Sequence, residues 1–294
     1  MNPTAARALA EWPLLAAEII LFGTTAFELA LAPRDIRARG PVVHEMTPLW
    51  RMLALVLIVS APIGLIIDVA SMGDVNWRSA IPLIPEVMRE THAGRIWVWR
   101  LITIIAIAMV AWLAADRKFT PAALCALGAM MLMLESVASH ASDWGDAMIA
   151  VYFIHQVAAA LWAGALIGLC FGQVFGDETD PVAHWMHQVA PRVSAVAGWS
   201  VAALFASGGL IAWRALGLDI FRLLYSAYGR TLILKVGVFA AVVAIGGYNR
   251  YWLIPEVGNS PTHRTLVRNV AVECIFLIGV FGLAAVLANT PPAH

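Results

Sequence analysis

The segment Ser139-His140-Ala141-Ser142-Asp143-Trp144-Gly145-Asp146 sets one imidazole and two carboxylates side by side with no basic residue among them. Such a cluster attracts cations. Ahead of it, Met133, Ser136 and His140 recur at i, i+3 and i+7; after it, Met148, Tyr152, His155, Ala159 and Trp162 recur as one stripe at helical spacing. If helices joined by this short connection carry the two stripes, His140 stands at a mouth and His155 lies below it, near the level of Met133. Imidazole combined with thioether or carboxylate is a donor set for copper, whereas magnesium and calcium take oxygen ligands. The metal-ligand candidates are therefore His140, His155, Met133, Glu135 and Asp143. Glu18 joins them because it follows Glu11 by seven residues and continues an acidic face inward. A structural reading competes at each position: a histidine inside a bundle is commonly a hydrogen-bonded packing residue, and Met130, Met131 and Met133 can all be core side chains. His184 and His187 have the i, i+3 spacing that holds a metal on one helix face, against the alternative of a solvated interfacial loop.

Further ionisable residues fall inside apolar runs: Glu18, Glu28, Asp68, Arg100, Glu135, His155, Lys235 and Glu273. A charge near the centre of a membrane helix costs about 2.5 to 3.5 kcal/mol on insertion scales, so each needs a partner or marks a pathway. The expected pairs are Lys235 with Glu273 or Glu18, and Arg100 with Glu135 or Asp68. Lys235, Arg250, Glu273 and Asp68 are read as structural or gating positions. A rise of about 1.5 Å per residue puts Glu135 ~6 Å, Asp68 ~7 Å, Met133 ~9 Å, Glu18 ~10 Å and His155 ~12 Å from the same surface. They share one leaflet.

The elements that must position these residues follow from composition. Of 294 residues 61% are hydrophobic and 13% charged, against about 25% charged in soluble domains. Apolar segments of bilayer length, roughly 20 residues, run over 11–32, 49–72, 95–115, 120–139, 147–175, 189–216, 229–253 and 265–289. They read as an all-α integral membrane protein, a bundle of about eight transmembrane helices in one transmembrane domain over 1–294. Open strands would leave backbone groups unpaired in lipid, and barrel strands would alternate apolar with polar residues. Pro62 should kink the second span. Glu11 and Glu18 interrupt what would be the apolar core of a signal peptide, so the first segment is read as a retained span.

This distribution leaves no room for an extramembrane catalytic domain, and the protein is not expected to be an enzyme. Nineteen Lys and Arg balance nineteen Asp and Glu without a basic block, which gives no nucleic-acid surface. Cys125, Cys170 and Cys274 are isolated in apolar runs and read as small core hydrophobes. Odd-numbered connections hold ten Lys or Arg (Arg34, Arg37, Arg39, Arg51, Arg117, Lys118, Arg192, Arg250, Arg264, Arg268). Even connections and termini hold seven (Arg7, Arg78, Arg89, Arg95, Arg214, Arg222, Arg230). By the positive-inside rule, both termini and the His140 loop face the periplasm.

Several pieces occur in a specific order over roughly half of the chain: Ser139-His140-Ala141; His155-Gln156-Val157-Ala158-Ala159-Ala160-Leu161-Trp162-Ala163-Gly164; Ser207-Gly208-Gly209 to Ala212-Trp213-Arg214; Ala227-Tyr228-Gly229-Arg230 to Leu234-Lys235; Asn249-Arg250; Glu273; and Leu287-Ala288-Asn289-Thr290-Pro291-Pro292. In this the sequence resembles the copper resistance protein D family of bacterial inner-membrane proteins. The resemblance implies copper import across the inner membrane, with the ion delivered by a periplasmic copper-binding protein of the copper resistance C type. It implies metal roles for His140 and His155 and marks Lys235, Arg250 and Glu273 as recurrent polar positions. The Met-rich soluble copper segment of related systems is not seen, so initial capture is expected from a separate protein. The alternative is a membrane electron-transfer protein with b-type haem held by histidines on neighbouring helices. The unequal depths of His140 and His155 count against it, and His92 could partner only His140.

Overall fold

Backbone surrounded by lipid has to satisfy its own N–H and C=O groups, and a helix does so within one segment. A computed structural model describes residues 3–31, 41–115, 117–174, 181–256 and 260–291. Its long helices are α1 (Pro3–Ala30), α2 (Pro41–Met72), α3 (His92–Leu113), α4 (Thr120–Ala138), α5 (Asp146–Val174), α6 (Pro181–Leu216), α7 (Ala227–Tyr248) and α8 (Ser260–Ala288). All eight contain a stretch long and apolar enough to cross a membrane, and no strand occurs among the described residues. The chain is an all-helical, multi-pass membrane protein. α1, α2 and α6 begin well before the apolar runs expected from sequence, because a helix does not end where its hydrophobicity does. α2 runs unbroken through Pro48 and Pro62. The arginines of the first connection, Arg34, Arg37 and Arg39, lie outside the described residues, as do the His184 and His187 side chains. The backbone at those two histidines belongs to α6 and is not an interfacial loop.

α1 is the central helix, packing against α2, α4, α5 and α8. Two glycines explain how closely it meets α5. A Cβ on Gly23 would lie 1.9 Å from the Ala160 carbonyl oxygen, and one on Gly164 would lie 1.9 Å from the Gly23 carbonyl carbon. Backbone touches backbone there, the small-residue packing that drives helix association where lipid removes the hydrophobic driving force. Trp50 of α2, almost fully buried, donates from Nε1 to Thr24 Oγ1 at 3.2 Å and ties α2 to α1. The core extends from Leu14 on α1 to Phe281 on α8. Outward positions are apolar too, as at Leu55 and Val59 on α2 and Ile102, Ile105 and Met109 on α3. A lipid-facing surface demands this.

The short connections set the mouth. Between α4 and α5 the chain makes a 3-10 turn over His140–Trp144, started by Ser139 Oγ accepting from the Ala141 N–H at 3.2 Å. Gly145 follows with φ +96°, a left-handed conformation that costs glycine little, and α5 begins at the next residue. Between α2 and α3 lie two short helices, Trp77–Ala80 and Ile84–Glu90.

Candidate functional site

The mouth opens into a cavity of about 700 Å³ walled by α1 and α3–α8, with Asp68 of α2 at its edge. His140 and Asp143 stand at its entrance, their side chains 46% and 74% exposed and 3.8 Å apart from Nδ1 to Oδ2. Deeper, the α5 stripe Tyr152, His155, Ala159 and Trp162 faces the space as its spacing predicts, while Met148 does not. Lys235 of α7 forms part of the opposite wall.

His155 is held in a defined state. Its Nδ1 lies 2.9 Å from Ser207 Oγ on α6, and the Ser207 hydroxyl donates to the Ala203 carbonyl at 2.6 Å. A hydroxyl has one proton. Having given it to Ala203, Ser207 can only accept from His155, so Nδ1 carries the imidazole proton and Nε2 keeps its lone pair. Nε2 makes no protein hydrogen bond among the described residues. The ring rests against Gly208, where a Cβ would come within 3.3 Å of Cε1.

The cavity's other wall is a chain of ion pairs. Arg100 on α3 reaches Glu18 on α1 from Nη2 at 2.7 Å and Glu135 on α4 from Nη1 at 3.0 Å. Its guanidinium carbon sits 4.7 Å from the centre of the Trp97 ring. Trp97 Nε1 donates to Asp68 Oδ2 at 2.8 Å, and Asp68 Oδ1 accepts from Arg7 Nη2 at 2.5 Å. Arg7 Nε then pairs with Glu11 at 3.1 Å, and Asn289 of the C-terminal end donates to Glu11 Oε2 at 2.6 Å. These networks tie α1 to α2, α3 and α4 and to the end of α8. Within these networks each buried charge has a partner, the condition under which such charges persist in a bundle.

At the opposite end of the bundle a second polar cluster forms. Asn249 Nδ2 donates to Glu273 Oε1 at 2.5 Å, and Asn269 Nδ2 donates to Asn249 Oδ1 at 2.8 Å. Gly246 leaves room for the carboxylate: a Cβ there would lie 3.3 Å from Glu273 Oε2. Arg250, on the π-turn Asn249–Leu253 that ends α7, donates from Nη1 to Ser194 O at 2.6 Å and Oγ at 3.0 Å.

A family model described as copper resistance protein D-like, N-terminal domain, matches residues 1–147, and one described as copper resistance protein D matches residues 187–287. The chain belongs to the copper resistance protein D family. Among its relatives is the inner membrane protein YebZ of Escherichia coli, 25% identical over 249 residues that cover 81% of each chain. Copper resistance protein D of Pseudomonas syringae pv. tomato is 22% identical over 292 residues, 93% of each. No solved structure matches the chain. Membership in the copper resistance protein D family ties the chain to a copper-related membrane function, and its apolar helices and relatives make it a multi-pass inner-membrane protein.

For this copper resistance protein D member, the sequence-derived candidates separate into three groups. His140, Asp143, His155, Glu135 and Asp68 line one cavity with Lys235. Glu18 is completely buried behind Arg100 and does not line it. Its cation is Arg100 and not Lys235. Lys235 likewise does not meet Glu273, which bonds Asn249 instead. Met133 is 44% exposed on the outside of α4 and away from the cavity. The inward face of α4 runs through Leu124, Gly128, Met131, Leu132 and Ser136, fixed where Gly128 abuts Phe22, and Met133 falls just past its edge. Glu273 and Arg250 lie at the opposite end of the bundle. No cluster of three or more His, Cys, Asp or Glu positioned to hold a metal occurs among the described residues. Ser207 was missed as His155's partner because nothing in sequence spacing links residues on non-consecutive turns of different helices.

Proposed function

We propose that the protein carries copper ions across the inner membrane, accepting them from a periplasmic copper-binding protein of the copper resistance C type at the His140 and Asp143 mouth and passing them inward by way of His155. In this reading the whole chain is one transmembrane unit, both termini face the periplasm, and the ion is substrate, so no catalytic residue is invoked. The observation that carries it is His155, whose Nδ1 is committed to Ser207 while Nε2 remains free on the wall of an acidic cavity. A neutral imidazole with one nitrogen fixed by a hydrogen bond is the usual form of a metal-ligating histidine.

Charge supports entry and exit together. Glu11, Asp68, Glu135 and Asp143 line the cavity against Arg7, Arg100 and Lys235, and Glu18 adds a further carboxylate behind Arg100. The acidic excess favours a cation. Lys235, across from His155 and close enough to act on it electrostatically, opposes tight retention. A transport site must bind strongly enough to admit an ion and weakly enough to release it.

The test compares copper bound by purified protein and accumulated by cells for wild type, His140→Ala and His155→Ala at equal amounts of folded protein. Both variants should lose copper, His155→Ala more so because water replaces a ligand at the mouth more readily than one inside. Wild-type stoichiometry and uptake in both would overturn the assignment, and a strong Soret band in the purified protein would replace it with haem chemistry.

A further inference from the structure

Lys235 is the charge on the cavity wall that the ion-pair networks leave over. Glu135 is taken by Arg100, and Asp68 and Glu11 by Arg7, while Lys235 makes no hydrogen bond or ion pair among the described residues. Two hydroxyls are equally uncommitted: Tyr152 and Tyr228 line the cavity and make no hydrogen bond among the described residues. Helical phase turns these groups towards one space. Tyr152, His155 and Trp162 share a stripe on α5, and Tyr228, Lys235 and Phe239 share one on α7. The two stripes meet at Trp162 and Phe239, whose rings pack edge to face with centres 5.5 Å apart. α6 returns the chain between them, so α5 and α7 both run inward from the mouth. Counted back towards the mouth from that ring contact, His155 is seven residues away, about 10 Å, and Lys235 four residues, about 6 Å. Their levels differ by less than one helical turn.

We propose that Lys235, with the Tyr152 and Tyr228 hydroxyls, forms a site for a small anion of the halide class, and that this anion is the second ligand of a Cu(I) ion bound by His155. The inference rests on the transport reading for its metal and deepens it: the cargo is a copper–halide pair. His155 offers one free lone pair, and no cluster of three or more His, Cys, Asp or Glu among the described residues stands ready to add to it. A tetragonal Cu(II) set is therefore not provided, whereas Cu(I) is content with two donors in line. A bare ion on Nε2 would meet Lys235 as a like charge. A halide between them replaces that repulsion with attraction on both sides. The lysine ammonium and the two phenols are donors suited to an anion, and the ammonium makes the charge-assisted contact. Binding forms one Cu–N bond and one Cu–halide bond in place of the ion's previous ligands. No proton is transferred and no oxidation state changes.

The experiment uses purified, anaerobically reduced full-length protein and Cu(I) delivered from a competing chelator in chloride, in bromide, or in nitrate, which coordinates Cu(I) poorly. At equal ionic strength wild type should bind Cu(I) roughly 10- to 100-fold more tightly in either halide than in nitrate, the scale of one hydrogen bond to a charged group. Lys235→Gln should lose that difference, and its own salt series corrects for halide that complexes copper in solution. In bromide, the copper X-ray absorption spectrum of protein freed of excess salt should show a bromine neighbour beside imidazole nitrogen, absent from Lys235→Gln and from His155→Ala. Equal wild-type affinity in all three salts without a bromine neighbour overturns the anion site and leaves His155-dependent transport standing, and it does so even if Lys235→Gln fails to fold, since that measurement needs no variant. A halide effect that persists in Lys235→Gln also overturns it, because the anion then sits elsewhere. Halide-dependent binding at His155 without copper accumulation by cells keeps the site and refutes the transport reading. Absence of copper binding in every salt refutes both.

Discussion

His155 donates from Nδ1 to Ser207 Oγ at 2.9 Å, and the Ser207 hydroxyl donates in turn to the Ala203 carbonyl one helical turn earlier. The second bond is what gives the first a direction. Without the Ala203 carbonyl, the Ser207 hydroxyl could donate to Nδ1 and leave Nε2 protonated, unable to bind a metal. Partners of this kind change metal affinity by roughly 10- to 100-fold when removed. Ser207→Ala should lower copper affinity by that factor with little loss of folded protein, and Ser207→Thr, which keeps the hydroxyl, should restore most of it. A chelator-competition titration reads the difference. Equal affinity in all three would show that the imidazole tautomer is not set by α6.

Arg100 holds two carboxylates, so its loss and the loss of one carboxylate are unequal. Glu18→Gln removes one negative charge but leaves Arg100 paired with Glu135 at 3.0 Å, and the expected cost is about 1 to 3 kcal/mol, the scale of a weakened buried hydrogen bond. Arg100→Met leaves Glu18 and Glu135 facing each other with no cation between them, and breaking a buried pair in that way costs about 3 to 5 kcal/mol. Thermal unfolding in detergent should rank wild type above Glu18→Gln above Arg100→Met. Copper bound per folded molecule should stay unchanged in Glu18→Gln, because Glu18 is sealed behind Arg100 and away from the cavity wall. A drop in copper with unchanged stability would make Glu18 part of the ion path after all.

What the sequence made legible, and what it hid, divides along the range of the interactions. Continuous apolar runs declare helices because lipid leaves the backbone no other choice, and the stripe from Tyr152 to Trp162 declares its inward face because both features are local to one segment. Asp68, Glu135 and His155, which helical rise assigns to one leaflet, line one cavity. Rotation was not readable on α4: Met133 sits one residue past the buried Met131 and Leu132, and where the inward face ends depends on Phe22 of α1 meeting Gly128. Partner choice was equally hidden. Arg100 reached Glu135 as the spacing allowed, but Glu18 and Glu273 found Arg100 and Asn249 instead of Lys235, because helix adjacency decides which side chains can touch.

The contact between α1 and α5 admits no side chain. A Cβ at Gly164 would fall within 2.4 Å of three backbone atoms of Gly23, and backbone cannot rotate away as a side chain can. Gly164→Ala should therefore push the two helices apart and cost at least the roughly 1 to 3 kcal/mol of an overpacked core, lowering the yield of folded protein. Gly209→Ala is the matched control, because nothing lies within 4 Å of a Cβ there, and it should fold as well as wild type. Indistinguishable melting of the two variants would mean that α1 and α5 do not meet at this glycine pair.

Orientation can be tested without copper. Three of the described arginines at the end opposite the mouth bond carbonyls: Arg51 donates to Ala111 O at 3.1 Å, Arg192 to Leu31 O at 3.4 Å and Arg250 to Ser194 O at 2.6 Å. Two of those carbonyls lie at the C-terminal ends of α3 and α1, where a cation is favoured by the helix dipole. At the mouth end Arg7 is engaged by Glu11 and Asp68, and Arg222 by Asp219. Lys and Arg still count ten against seven in favour of the far end, and that end should remain in the cytoplasm. In a protein whose native cysteines are replaced by alanine, Ser142→Cys at the mouth should react with a membrane-impermeant thiol reagent in intact cells. Thr262→Cys at the start of α8 should react only after the cells are opened. The reverse pattern would turn the acidic mouth towards the cytoplasm, and the same cavity would then load copper for export.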